Sequence, residues 1–147
     1  AYTNLGLFLA VEGADYLQNS GFIGVPLIVA FIILVSLINF LIGSASAKWA
    51  ILAPIFVPMF MKLGFSPFLT QAAFRVADSV TNCISPLEPF MPFIIICAQR
   101  YDKRAGLGTV ISIMIPYAIV FLISWTLLLV GFYVLNLPLG PGAPVGM

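Results

Sequence analysis

The stretch from Phe22 to Met61, FIGVPLIVAFIILVSLINFLIGSASAKWAILAPIFVPMFM, decides how this chain folds. Its first part, Phe22 to Ile42, carries no charge. As a helix it would rise about 31 Å, one hydrocarbon thickness. The run stops in Gly43-Ser44-Ala45-Ser46-Ala47-Lys48, which is small, polar and charged. The second part, Trp49 to Met61, lies between Lys48 and Lys62 and holds Pro54 and Pro58. It would reach only about 20 Å, too short to cross a bilayer. The two parts together predict a re-entrant helical hairpin over 22–64, with a tip at 43–48 that turns inside the membrane. Backbone of that kind is tolerated at depth only where protein or a water-filled cavity surrounds it.

Composition identifies the solvent. Of 147 residues, 62% are hydrophobic and 7% charged, and the mean hydropathy is +1.15. Soluble domains carry about a quarter charged residues, so lipid must cover much of this surface. The chain reads as an all-α, polytopic membrane protein. A net charge of +1 gives no basic groove for nucleic acid. Cys83 and Cys97 form no C-x-x-C motif and have no histidine to join them. They argue against a zinc site and do not indicate a disulfide framework, and each reads as a small apolar helix residue. The sequence offers no nucleophile–base pair, no glycine-rich phosphate loop and no metal-ligand cluster, so it supports neither an enzyme nor a cofactor. The opening Ala1-Tyr2-Thr3-Asn4 lacks a basic n-region, which argues against a signal peptide and for the interior of a longer protein.

The other segments fall around the hairpin. Residues 1–21 contain Glu12, Asp15, Gln18 and Asn19, and read as the end of a preceding helix with an interfacial segment. Residues 65–100 predict a broken transmembrane helix. Ser66 serves as its N-cap and Pro67 as its first helical residue. Helix over Phe68 to Val80 gives way at 81–89, Thr81-Asn82-Cys83-Ile84-Ser85-Pro86-Leu87-Glu88-Pro89, and resumes at about Phe90 to Gln99. Arg100, Lys103 and Arg104, around the loop 101–105, place residues 100–104 in the cytoplasm by the positive-inside rule. Residues 106–136 predict a full span, Leu107 to Leu135 rising about 43 Å. Trp125 and Tyr133 are available there for an interface. The tail, 137–147, is too rich in proline and glycine to continue it. Alternation then puts the hairpin mouth and the C-terminus on the outer side.

Candidate chemistry gathers at the two interruptions. Arg75 and Asp78, one helical turn apart, share a face on which they can pair. They read either as a structural ion pair or as a substrate pathway, in which the arginine binds a carboxylate or sulfonyl group bidentately. Asp78 would then modulate that charge or carry a proton. Ser44, Ser46, Thr81, Asn82 and Ser85 either cap helices or, with unwound carbonyls, offer oxygens to Na⁺, Ser44 and Asn82 being the candidate ligands. Trp49 beside the tip suits stacking on an aromatic substrate, or a membrane boundary. Lys48 either contacts an anion or snorkels to water. Glu88 is a second buried-acid candidate, and any proton relay here must use carboxylates.

The stretch Gly43-Ser44-Ala45-Ser46-Ala47-Lys48-Trp49-Ala50-Ile51-Leu52-Ala53-Pro54 resembles the AbgT family of p-aminobenzoyl-glutamate transporters. So does Thr70-Gln71-Ala72-Ala73-Phe74-Arg75-Val76-Ala77-Asp78-Ser79-Val80-Thr81-Asn82, followed by Pro86-Leu87 and Pro89. Ala98-Gln99-Arg100-Tyr101-Asp102-Lys103 and Leu137-Pro138-Leu139-Gly140-Pro141-Gly142-Ala143 also look like that family. The resemblance implies the C-terminal half of an inverted-repeat secondary transporter: an inner-membrane homodimer with two re-entrant hairpins in the whole protein. Such a protein imports p-aminobenzoyl-glutamate or exports sulfonamide antimetabolites, using an H⁺ or Na⁺ gradient. Its substrate-pathway residues carry over as Ser46, Trp49, Pro67, Arg75, Asp78 and Pro86, while Glu88 falls outside the pattern. The contrasting reading is a structural or channel-forming membrane subunit, whose polar breaks only pack against partners.

Overall fold

A computed structural model describes residues 5–146; residues 1–4 of the first segment and Met147 of the tail lie outside it. Among the described residues the architecture is all helical. Six α-helices run in order: α1 Leu5–Asn19, α2 Val25–Ile38, α3 Ala45–Lys62, α4 Pro67–Thr81, α5 Met91–Gln99 and α6 Leu107–Val134. A single 3₁₀ turn, Asn82–Ile84, follows α4.

The hairpin is built from α2 and α3, with its tip earlier than the small residues suggest. α2 starts after Gly24, whose φ of +84° is costly for any residue with a Cβ, and Pro26 lies in its first turn. It ends at Ile38, capped by Asn39, and rises only about 21 Å rather than the 31 Å expected for 22–42. Ser44 is extended (φ −90°, ψ 116°) and its Oγ accepts the Ala47 N–H at 3.4 Å, so the helix restarts at once. Residues 45–48, expected in the tip, form the first turn of α3, because alanine favours helix once an N-cap is in place. The turn itself is 39–44. α3 continues through Pro54 and Pro58. The arms are held apart and together by phenylalanines: Phe31 meets Phe56 at 4.9 Å and Phe60 at 5.1 Å between ring centroids.

α4 is the central element, packing on α2, α3 and α6, while α1 lies along α3. Its start follows the local sequence: Ser66 caps Leu69 N–H at 3.2 Å and Pro67 takes the first helical position. Ser66 also anchors the chain's other end. Its Oγ donates to the Pro144 carbonyl at 2.5 Å and its N–H to Val145 at 3.3 Å, folding the tail back over the α3–α4 turn. The ends of α3 and α6 and the tail therefore share one end of the bundle, opposite the basic loop between α5 and α6.

α4 stops at Thr81. After the 3₁₀ turn, Ser85 is extended (φ −75°, ψ 124°), as a residue before proline prefers, and α5 resumes at Met91. α6 rises about 42 Å and is long and apolar enough to cross a membrane, yet only 11% of its most apolar window is buried. A soluble core helix of that hydropathy would be covered by protein. Ile113, Tyr117, Val120, Phe121 and Leu127 instead point outwards, as lipid-facing or partner-facing residues do.

The tip and the break touch at one tight point. A Cβ placed on Gly43 would lie 2.5 Å from the Leu87 carbonyl oxygen. Gly43→Ala in the full-length protein is therefore expected to push the two apart and cost roughly 1–3 kcal/mol, seen as a lower thermal midpoint. Gly108→Ala on α6, where nothing lies within 4 Å, should be neutral or slightly stabilising in the same assay.

Candidate functional site

Where the hairpin tip meets the interrupted helix, a polar cluster lies inside an otherwise apolar bundle. Its hub is Asn39, fully buried at the end of α2. The Asn39 Nδ2 donates to Thr81 Oγ1 at 2.8 Å and to Asn82 Oδ1 at 2.9 Å. Its Oδ1 accepts from the Lys48 ammonium, and its backbone carbonyl accepts from Ser85 Oγ at 3.1 Å. Thr81 passes its own proton to the Ala77 carbonyl at 2.7 Å. One amide thus joins α2, α3 and both sides of the α4 break.

Lys48 is also fully buried, and its ammonium forms an ion pair with Asp78, itself 3% exposed. This corrects the expected Arg75–Asp78 pair. The i, i+3 spacing brings Arg75 and Asp78 to neighbouring positions, but Asp78 turns inwards, where Lys48 reaches it from the first turn of α3. Arg75 is exposed one turn earlier on α4 and takes part in no ion pair among the described residues. Lys48 likewise does not snorkel to water. A buried carboxylate facing a buried ammonium offsets a desolvation cost that neither charge alone would tolerate. No buried side-chain nitrogen or oxygen among the described residues lacks a hydrogen-bond partner.

Beside this cluster opens a cavity of about 480 Å³, lined by Ala45, Arg75, Val76, Asp78, Ser79, Asn82 and Trp125. It brings together three of the residues singled out from sequence, Arg75, Asp78 and Asn82, at the start of α3 and the end of α4. A smaller cavity of about 260 Å³ lies on the other flank of Arg75, against Leu139 and Ala143 of the tail. The other candidates lie elsewhere. Ser46 is exposed on the first turn of α3, and Ser44 is engaged in capping. Trp49 is half-buried and packs on Phe74, with ring centroids 4.9 Å apart, so its ring forms part of the α3–α4 contact. Pro67 is at the far end of α4, and Pro86 is exposed in the loop after the break. Glu88, a buried-acid candidate in the sequence, is only half-buried between Pro86 and Pro89.

The sequence does not single out Asn39 or Trp125 as site residues. Asn39 did leave a signal: it is the one amide in the uncharged run 22–42, and a buried amide must find partners. Trp125 left none, since tryptophan on a spanning helix is equally at home at an interface.

Two interrupted helical elements that meet at a buried polar junction, beside an open cavity, are the kind of arrangement on which membrane transporters build their sites. The family profile described as "AbgT putative transporter family" matches residues 1–147, and the chain belongs to the AbgT family. It is 46% identical over 141 residues to the p-aminobenzoyl-glutamate transport protein of Escherichia coli (strain K12), covering 96% of this chain and 28% of that protein. Its fold is similar to the Alcanivorax borkumensis YdaH transporter, with TM-score 0.89 and 49% identity over 93% of this chain and 29% of that one. It is also similar to Neisseria gonorrhoeae MtrF, of a class of antimetabolite efflux pumps, with TM-score 0.84 and 47% identity over 96% of this chain and 28% of that one. The chain spans little more than a quarter of the length of each of these relatives.

The Lys48–Asp78 pair makes a stability prediction. Lys48→Met or Asp78→Leu alone should destabilise the full-length protein by about 3–5 kcal/mol, because each strands a buried charge. The double variant should recover most of that loss. Thermal unfolding of the four proteins in detergent measures the coupling, and additive losses would show that the pair is not formed.

Proposed function

We propose that the full-length protein containing this chain is a secondary active transporter of the inner membrane. It moves p-aminobenzoyl-glutamate inwards or sulfonamide-type antimetabolites outwards, by alternating access driven by an ion gradient. The observation that carries this reading is the cavity in which Arg75 stands open beside the junction of two broken helical elements. A guanidinium presents a planar fork of donors to a carboxylate or sulfonyl group, and each substrate class carries one of these together with an aromatic ring. The names of the Escherichia coli and Neisseria gonorrhoeae relatives support the two substrate classes. Import and export run through the same machinery, and gradients and relative affinities select between them.

In this reading Ser46, Trp49, Pro67, Arg75, Asp78 and Pro86 line or shape the substrate path as the hairpin moves against α4. Asp78, Ser44, Thr81 and Asn82 are the groups through which H⁺ or Na⁺ is coupled, with Ser44 and Asn82 as oxygen donors for Na⁺. The protein works as a homodimer, with residues 100–104 in the cytoplasm and the C-terminus in the periplasm. The clustering of Arg100, Lys103 and Arg104 at one end of the bundle supports that orientation.

Uptake of labelled p-aminobenzoyl-glutamate and of a sulfonamide into vesicles, under imposed Na⁺ or H⁺ gradients, tests the proposal. Saturable, gradient-dependent movement is expected. Arg75→Ala should abolish it while membrane expression persists, since Arg75 is exposed and its loss strands no partner. Arg75→Lys keeps the charge but loses the fork, and should cut uptake by about tenfold or more. Ion flux without saturable solute movement would favour a channel-forming subunit, and undiminished uptake by Arg75→Ala would remove Arg75 from the path.

A further inference from the structure

α4 leaves one stripe of its surface uncovered, and that stripe is polar. Leu69, Thr70, Ala73, Phe74, Ala77 and Asp78 are buried, whereas Gln71, Arg75 and Ser79, spaced i, i+4, i+8, are exposed. Side chains at that spacing lie one above another on a helix, about 6 Å apart along its axis. Glutamine and arginine are costly against hydrocarbon, so a spanning protein turns such a stripe to protein or to a water-filled path. Here two cavities run along it, and Arg75 lines both. Towards Asn82 it shares the larger with Trp125, and towards Ser66 it shares the smaller with Gln71 and the tail. The hydroxyls of Thr70, Ser79 and Thr81 donate to carbonyls of their own helix, and Asn82 is held by Asn39. Gln71 and Arg75 are therefore the long donors that the stripe offers to a ligand. In the smaller cavity they face only apolar side chains, Phe68, Ala72, Leu139 and Ala143. Its far wall is fixed, because Ser66 holds the tail through Pro144 and Val145.

We propose that Gln71 is a specificity-determining residue, which takes the second carboxylate of a glutamyl group whose first carboxylate is held by Arg75. This role rests on the two substrate classes proposed above, and it separates them. A glutamyl group carries two carboxylates a few ångströms apart on one short chain, which suits two donors on successive helical turns. A sulfonamide has no second carboxylate to place there. With the glutamyl group across the Arg75–Gln71 turn, the aromatic ring extends into the larger cavity, where Trp125 forms the apolar wall. The Gln71 carboxamide donates an N–H to the second carboxylate, a charge-assisted bond stronger than one between neutral groups. It does so in a cavity whose remaining walls offer that carboxylate no other side-chain donor besides Arg75.

Equilibrium dialysis of the full-length protein in detergent tests this with three labelled probes. They are p-aminobenzoyl-glutamate, a sulfonamide, and p-aminobenzoyl-glycine, which keeps the ring, the amide and one carboxylate only. The wild type should prefer p-aminobenzoyl-glutamate to the glycine analogue. Gln71→Ala should weaken p-aminobenzoyl-glutamate binding by about tenfold and change the other two by less than about twofold. Gln71→Lys, which restores a donor, should keep the preference. The thermal midpoint of Gln71→Ala should match that of the wild type, since the side chain is exposed. Equal loss of all three probes in Gln71→Ala would overturn the proposal, because the residue would then support the fold or pack against the rest of the protein. So would a Gln71→Ala protein that binds p-aminobenzoyl-glutamate as the wild type does, and in that case the proposed transport function would stand without it. A wild type that binds none of the three would remove the substrate classes themselves, and this role for Gln71 with them.

Discussion

A carboxylate buried inside an apolar bundle has to find a cation or lose its charge, and the structure around Asp78 follows from that requirement. Lys48 can reach it only if α3 starts close by, so the hairpin must turn tightly and restart at Ala45. Ser44 makes the restart abrupt by capping the new helix. Asn39 must then sit where α2 ends, because a second oxygen is needed to satisfy the ammonium. α4 in turn must end at Thr81, where its hydroxyl and the Asn82 side chain take the two protons of the Asn39 amide. Removing any one of these would leave a buried polar group unpaired.

The same contacts explain why two helices can be interrupted side by side. An exposed helix end in a membrane has no water to satisfy its free carbonyls and N–H groups. Here each interruption supplies part of what the other lacks. The Asn39 carbonyl accepts from Ser85 beyond the break, and Gly43 lets the tip come against the Leu87 carbonyl. A serine hydroxyl thus serves a carbonyl freed at the end of α2, while phenylalanines on α2 and α3 fill the space between the arms below the tip.

Much of this arrangement is legible in the sequence because its causes are local. Proline, serine caps and the lengths of apolar runs predict the hairpin, the start of α4 at Ser66-Pro67, and a break at 81–89, one residue ahead of the interruption seen at 82–90. The tip is less legible: Gly-Ser-Ala-Ser-Ala reads as a turn by composition, yet Ser44 alone is enough to make the following alanines helical. The Arg75–Asp78 pair fails for a different reason. Helical spacing says which side chains can meet, whereas a tertiary partner decides which do. Lys48, thirty residues away, is closer in space to the buried oxygen and has nowhere else to put its charge. Asn39 is hard to read from sequence, since one amide in a long apolar run looks incidental until its four hydrogen-bonding partners are placed around it.

This exchange of partners has a functional consequence for Arg75. Had Asp78 turned outwards to the guanidinium, the strongest cation on the cavity wall would have been neutralised by its own helix, and an incoming anion would have had to displace a tethered carboxylate. With Asp78 committed to Lys48, the two buried charges cancel locally. The guanidinium keeps its donors for the cavity, although it is only one turn from an acid. Two cations and one acid at this junction leave a net positive charge, and geometry puts that surplus on the side that opens to the cavity. An anionic aromatic ligand entering there would meet an unquenched arginine, with Trp125 on the opposing helix as its apolar wall.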